Sequence, residues 1–260
     1  MAPRVTPSLS IRQLAEKGDF FMGKIEIKNK KKIIGVLGGM GPEASTRFYK
    51  LLIYHAQKDY GVEKNEEFPE IFLDSIPVPD FIATEEKEKV ALSMLIERVK
   101  MMDKLPISFF CMACNTGHLL IDKLRQFTDK PFISLLEEVP KYIKRQKVKK
   151  VGLLATPTTI RTKMYQKPLQ VEGIKVILPE NRDVVLLGNI ILETIAGKNI
   201  ERNTIQVQKI ARRLLERKAE GIIEACTEIP LIFPQQHLVT VFDTLEILTS
   251  AVLSKYYLLK

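Results

Sequence analysis

The chain has 260 residues, 45% hydrophobic and 27% charged, the make-up of a globular protein long enough to bury a sizeable core in one large domain or two lobes. Its apolar runs fall far short of the roughly 20 residues that span a bilayer, its N-terminus has no apolar signal core, and three cysteines make no disulfide framework, so a cytoplasmic protein without a membrane segment is expected. The net charge of +9 is concentrated in part at 17–32 and 141–150; no zinc spacing, RNA-binding aromatic motif or helix-turn-helix signature accompanies these runs, which read as a solvated tail and a solvated helix face, with no nucleic-acid partner.

Residues 1–31 show no packing pattern and are expected to form a disordered N-terminal extension. From Lys32 onward strand and helix patterns alternate. KIIGVLGG reads as a buried strand closed by glycines. Pro42 suits the first turn of the helix EASTRFYKLLIYHAQKDY. EIFLDSI is a second strand, VPDFI a loop, and Thr84 an N-cap for the acidic start of an amphipathic helix over 84–105. ISFFCMAC is a third strand and GHLLIDKLRQF a helix. PFISLLEEVPKYIKRQ gives a strand and helix, VKKVGLLAT a strand, TIRTKMYQKPLQ a helix and IKVILPE a strand. DVVLLGNIILETIAG and IERNTIQVQKIARRLLERKA are helices. GIIEAC, LVTVFDT and the last helix LEILTSAVLSKYYLLK complete the chain. Strands alternating with helices predict parallel sheets covered on both faces.

The pattern contains a weak internal repeat. IGVLGGMGPEASTRFYKLL resembles VGLLATPTTIRTKMYQKPL, pairing Gly35 with Gly152 and Tyr49 with Tyr165. ISFFCMACNT resembles GIIEACTE, pairing Cys114 with Cys226. The expected fold is α/β with two pseudo-symmetric lobes, each a parallel sheet flanked by helices. Lobe 1 is expected to comprise 32–130 plus 240–260, and lobe 2 residues 131–239. Ligands of open α/β sheets bind at the carboxyl ends of strands, so an active site is expected in the cleft between the lobes, with one small ligand between two cysteines.

Each of these cysteines sits where an apolar strand gives way to polar groups, Cys114-Asn115-Thr116 and Cys226-Thr227-Glu228. A lone cysteine is usually inert packing; two at matching strand ends are a different matter. Helix-start N–H groups and the hydroxyls of Thr116 and Thr227 can support a thiolate. Cys111 and Cys114 form a C-x-x-C, but Cys111 lies inside the apolar strand rather than at a helix start, and no second such pair exists for zinc, so no metal site is expected. GMGPEA at 39–44 fits G-x-G-x-x-A. The acid that a dinucleotide needs is missing, because Asp59 lies at a helix end and Asp74 too far on, so no nicotinamide cofactor is expected. The glycine turn offers N–H groups suited to a carboxylate. His55, His118 and His237 each read as structural, with His118 placed to face the same cleft as Cys114.

At these residues the sequence resembles the aspartate/glutamate racemase family, and within it the aspartate racemases. The matching pieces are IGVLGGMGPEAS, CNTGH, VGLLAT, ACTEIPL and FDTLEI, in the family's order across nearly the whole chain after residue 32. The resemblance implies racemisation of a small-molecule amino acid without a cofactor, by a homodimer, with Cys114 and Cys226 as the two bases. Gly39, Met40, Asn115, Thr116, Thr227, Glu228 and Lys198 are the expected substrate-binding residues. Glu228 after Cys-Thr is of the aspartate type, where glutamate racemases usually carry His. Two departures bear on the substrate. Phe81 stands where aspartate racemases often carry an arginine, and Ala196 where they often carry a lysine, with Lys198 two places on. Arg47, Lys163 and Lys198 are the candidate replacements. The alternatives are racemisation of another amino acid, a related reaction such as hydantoin racemisation or maleate isomerisation, and a catalytically silent small-molecule binder.

Overall fold

The computed structural model describes residues 32–79, 85–233 and 240–258; the N-terminal extension, Phe81, Thr84 and His237 lie outside them. Among the described residues eight strands form two parallel sheets. β1 (Ile33–Gly38), β2 (Glu70–Ser75), β3 (Phe109–Met112) and β4 (Phe132–Ile133) are ordered β2-β1-β3-β4. β5 (Lys150–Ala155), β6 (Lys175–Ile177), β7 (Gly221–Ala225) and β8 (Thr240–Asp243) are ordered β6-β5-β7-β8. The second order is the first with every strand advanced by four places, so the sequence repeat is a repeat of topology. Gly35 and Gly152 hold the third place of β1 and β5. A Cβ on Gly35 would lie 2.8 Å from Ile107 Cγ2, and one on Gly152 would lie 2.7 Å from Ile222 Cδ1. In both sheets a neighbouring isoleucine closes over the strand where no side chain fits.

The helices are α1 (Pro42–Tyr60), α2 (Glu85–Asp103), α3 (Ile121–Leu124), α4 (Leu135–Arg145), α5 (Pro157–Arg161), α6 (Gln166–Val171), α7 (Asn181–Ile195), α8 (Ile200–Glu216), α9 (Ile229–Ile232) and α10 (Thr244–Tyr257). One apolar cluster runs through both sheets. It joins Ile34, Val36 and Phe48 of the first repeat to Leu153, Ile223 and Phe242 of the second. Full burial of such side chains contributes about 1.5–3 kcal/mol each. The lobes are therefore fused through a common core and hold a fixed mutual geometry, which a site between them requires.

The lobe boundaries expected from the sequence need correction. β4 joins the first sheet: Phe110 N–H donates to Pro131 O at 2.8 Å, and the rings of Phe110 and Phe132 stack with centroids 5.0 Å apart. β8 pairs with β7, not with the first sheet. Each short strand pairs with the strand just before it in the chain. The C-terminal helix does reach the first lobe, where α10 packs on α1 and α4. Two expected helices are also broken. GHLLIDKLRQF is a 3-10 turn over Thr116–Leu120, then α3, then a second 3-10 turn over Arg125–Phe127. TIRTKMYQKPLQ is split into α5 and α6 by a turn in which Lys163 has φ +57°. That turn swings Tyr165 wholly into the interior, whereas its sequence counterpart Tyr49 is exposed on α1.

Candidate active site

Cys114 lies just past the end of β3. Ala113 N–H donates to Leu37 O at 3.0 Å, and there the chain leaves the sheet. The turn that follows folds back on the cysteine. Gly117 N–H donates to Cys114 Sγ at 3.3 Å, and His118 Nδ1–H donates to the Cys114 carbonyl at 2.7 Å. A Cβ on Gly117 would meet Met112 Sδ at 2.4 Å, so a side chain there has to push Met112 aside. His118 is buried, its ring is held neutral with its pKa lowered to about 4 by burial, and it braces the main chain of the turn rather than the thiol.

Cys226 follows β7 directly. Its thiol donates to Glu228 Oε2 at 2.9 Å, and Thr227 Oγ1 donates to the same oxygen at 3.0 Å. Burial first, and then the Glu228 carboxylate, push the Cys226 thiol well above its ordinary pKa; both effects disfavour negative charge on sulfur. Cys114 and Cys226 are both buried, and neither forms a disulfide among the described residues. They lie within electrostatic reach of one another, and both act on the Tyr165 hydroxyl, which burial and the two sulfurs hold protonated. Cys111 stands apart. It packs in the shared core, whereas Cys114 packs in a separate cluster with Leu37 and Met112.

Hydroxyls and one amide link the two strand ends. Thr116 Oγ1 lies 3.5 Å from Thr156 Oγ1 and 3.4 Å from Thr159 Oγ1, on the turn after β5. Asn115 Nδ2 donates to Thr244 Oγ1 at 3.0 Å, Thr244 in turn donates to Glu224 O at 2.9 Å, and the Tyr165 hydroxyl donates to Asn115 Oδ1. Both ends of the Asn115 amide are occupied, so its place is in the seam between the lobes.

The glycine turn differs from its expected role. Gly39 has φ +86°, and a Cβ there would come 2.3 Å from Ile76 N, so only glycine fits. Its N–H donates to Ser45 Oγ at 2.8 Å. Met40 packs on the cluster that holds Cys114. The residue that approaches the second lobe is Gly41, where a Cβ would stand 3.8 Å from Glu228 Oε1. Lys198 and Lys163 are exposed, outside the buried cluster. Arg47 is ion-paired with Asp243. Among the described residues no group of three or more His, Cys, Asp or Glu is arranged to hold a metal ion.

Thr156, Thr159, Tyr165 and Thr244 were not among the expected site residues. The repeat carried a signal for one of them, since Thr156 stands four places after Gly152 as Gly39 does after Gly35. Thr244 lies within FDTLEI, one of the pieces that carried the resemblance.

The chain is similar to the broad specificity amino-acid racemase RacX of Bacillus subtilis (strain 168), at 26% identity over 86% of this chain and 98% of the relative. It superposes on an aspartate racemase homologue from Pyrococcus horikoshii OT3 with a TM-score of 0.73 and 30% identity, covering 87% of this chain and 99% of that one. It shares its fold with the aspartate racemase of Picrophilus torridus, at a TM-score of 0.74 and 22% identity over 86% and 94% of the two chains. The Asp/Glu/Hydantoin racemase family model matches residues 37–252, so two repeated sheets with a cysteine at the end of each central strand belong, in this chain, to a member of the Asp/Glu/hydantoin racemase family.

Proposed function

We propose that this chain racemises a free amino acid without a cofactor, with Cys114 and Cys226 as paired base and acid. The observation that carries the proposal is two thiols at equivalent strand ends of two repeated sheets, in electrostatic reach of each other across the seam. Inversion of one carbon needs a base on one face and an acid on the other, and the reverse reaction needs the two to exchange roles. The Cys114 thiolate takes the α-proton of one enantiomer. The electron pair of the broken C–H bond stays on the α-carbon and delocalises into the α-carboxylate. The Cys226 thiol delivers its proton to the opposite face. Cys114 is then the thiol and Cys226 the thiolate, ready for the other enantiomer.

The carbanion must be stabilised by donors already in place. The hydroxyl cluster of Thr116, Thr156 and Thr159 offers neutral donors at the seam and suits the α-carboxylate. Glu228, beside Gly41, suits the α-ammonium. The buried thiols fit a reducing cytoplasmic setting, and the family resemblance suggests a homodimer. No helix among the described residues is long and apolar enough to cross a membrane.

Aspartate is the leading substrate, from the resemblance and from the likeness to the Pyrococcus horikoshii aspartate racemase homologue. A second reading is favoured by one observation. Arg47 is taken by Asp243 and Lys198 is exposed, so neither offers its charge to a second carboxylate at the cysteine pair. An amino acid with an uncharged side chain fits that polarity, as the likeness to a broad-specificity racemase also suggests. The deciding experiment is α-proton exchange in D₂O, followed by NMR, on a panel of L- and D-amino acids that begins with aspartate. Exchange on aspartate supports the first reading, exchange confined to uncharged amino acids supports the second, and no exchange on any amino acid refutes both.

A further inference from the structure

Glu224 stands on β7 two residues before Cys226 and is wholly buried. Neither of its carboxylate oxygens has a hydrogen-bond partner among the described residues. Its register partner on β8 is Asp243, which is ion-paired with Arg47 from α1. Arg47 Nη1 is itself buried without a partner among the described residues. α10 adds Glu246, held by His55 Nε2 at 2.6 Å, while Asp59 holds the other ring nitrogen at 2.6 Å. β5 offers the apolar Leu154 at the paired position. Glu224 therefore faces two carboxylates and a guanidinium already engaged by one of them. A buried carboxylate in such surroundings keeps its proton. Burial first, then Asp243 and, more weakly, Glu246, raise its pKa to about 8, against the opposing pull of Arg47.

Glu224 also adjoins the seam. Thr244, which accepts from Asn115, donates to the Glu224 carbonyl. Asp243, the residue before Thr244, caps α10 by accepting from Leu245 N at 2.9 Å and Glu246 N at 3.4 Å. Movement of Asp243 or Arg47 is thus passed to Asn115 and Tyr165.

We propose that Glu224 is a positioning residue that works as a neutral acid: protonated, it leaves the Arg47–Asp243 pair intact and Thr244 in place against Asn115; ionised, it draws the unpartnered Nη1 of Arg47 and repels Asp243, loosening the seam where the cysteines meet. The proton is exchanged with bulk solvent. Its effect on activity rests on the racemase reading; the ionisation itself does not.

The unfolded chain loses this proton near 4.5 and the folded chain near about 8. Between those values the folded state binds more protons, so stability falls as pH rises through the window and levels off above it. The test is Glu224→Gln in the full chain, with Glu224→Met as an equally neutral second variant should the first not fold. Denaturation midpoints at about pH 5, 6.5 and 8.5 span the window. The neutral variant is expected to gain on wild type steadily as pH rises. In parallel, wild-type racemisation is expected to show an alkaline loss centred near 8, absent from the variant. A stability difference that does not change with pH overturns the proposal whatever the substrate. An alkaline limb shared by both proteins overturns the positioning role.

Discussion

At the end of β3 a backbone N–H, that of Gly117, is aimed at the Cys114 sulfur; at the end of β7 the Cys226 thiol gives its proton toward the Glu228 carboxylate. The two places are equivalent in topology, and each sulfur meets a backbone N–H, that of Gly117 or that of Glu228; the Cys226 thiol also meets the Glu228 carboxylate. A donor stabilises negative charge on sulfur, whereas an adjacent carboxylate holds the proton there. A two-base racemase needs one thiolate and one thiol at rest, and a perfectly symmetric pair would not specify which is which. On the proposed two-base reading, the Glu228 carboxylate supplies that bias, placing Cys226 on the thiol side and Cys114 on the thiolate side.

Removing either member is the strongest way to break the comparison. Cys114→Ser and Cys226→Ser are each expected to lower racemisation by roughly 10²–10⁴-fold, read by chiral chromatography of the product. Full activity in either would remove the two-base scheme. Glu228→Gln sharpens the comparison by taking away the charge that keeps the Cys226 proton in place. Iodoacetamide labelling of Cys226 near pH 8, mapped by mass spectrometry, is expected to quicken about tenfold relative to Cys114. An unchanged ratio would mean that burial alone sets the asymmetry. The smallest effect lies in the turn beyond the first sulfur. Gly117→Ala forces Met112 aside and is expected to cost about 1–3 kcal/mol of stability, read from the urea midpoint. A neutral outcome would show that Met112 has room to move and that the turn is less tightly set than its counterpart after Cys226.

Much of the site was legible as pattern. The apolar strands ending in Cys114 and Cys226 follow from runs such as ISFFCMAC and GIIEAC, and their equivalence follows from the repeat, because a parallel strand buried on both faces leaves a continuous apolar signal. The partnerships were not legible. Gly39 carries the sequence mark of a carboxylate-binding turn, yet its N–H is taken by Ser45. Asn115 looks free beside Cys114, yet both ends of its amide are occupied by residues 50 and 129 positions away. Arg47 looks available for a substrate carboxylate, yet it pairs with Asp243 across the seam. Such bonds depend on which side chains meet across the lobes, and no local period encodes that.

By itself, the sequence determined the α/β alternation, the doubled lobe and the two cysteines at matching strand ends, since each is written in the spacing of apolar, glycine and polar residues along short stretches. The tertiary structure alone decided that β4 stays with the first sheet and β8 with the second, that Tyr165 turns inward to stand within reach of both sulfurs, and that Glu224 is buried beside Asp243 and Arg47. Those outcomes are set by main-chain pairing and charge contacts between segments tens to hundreds of residues apart, and they exist only once the two lobes have closed on their common core.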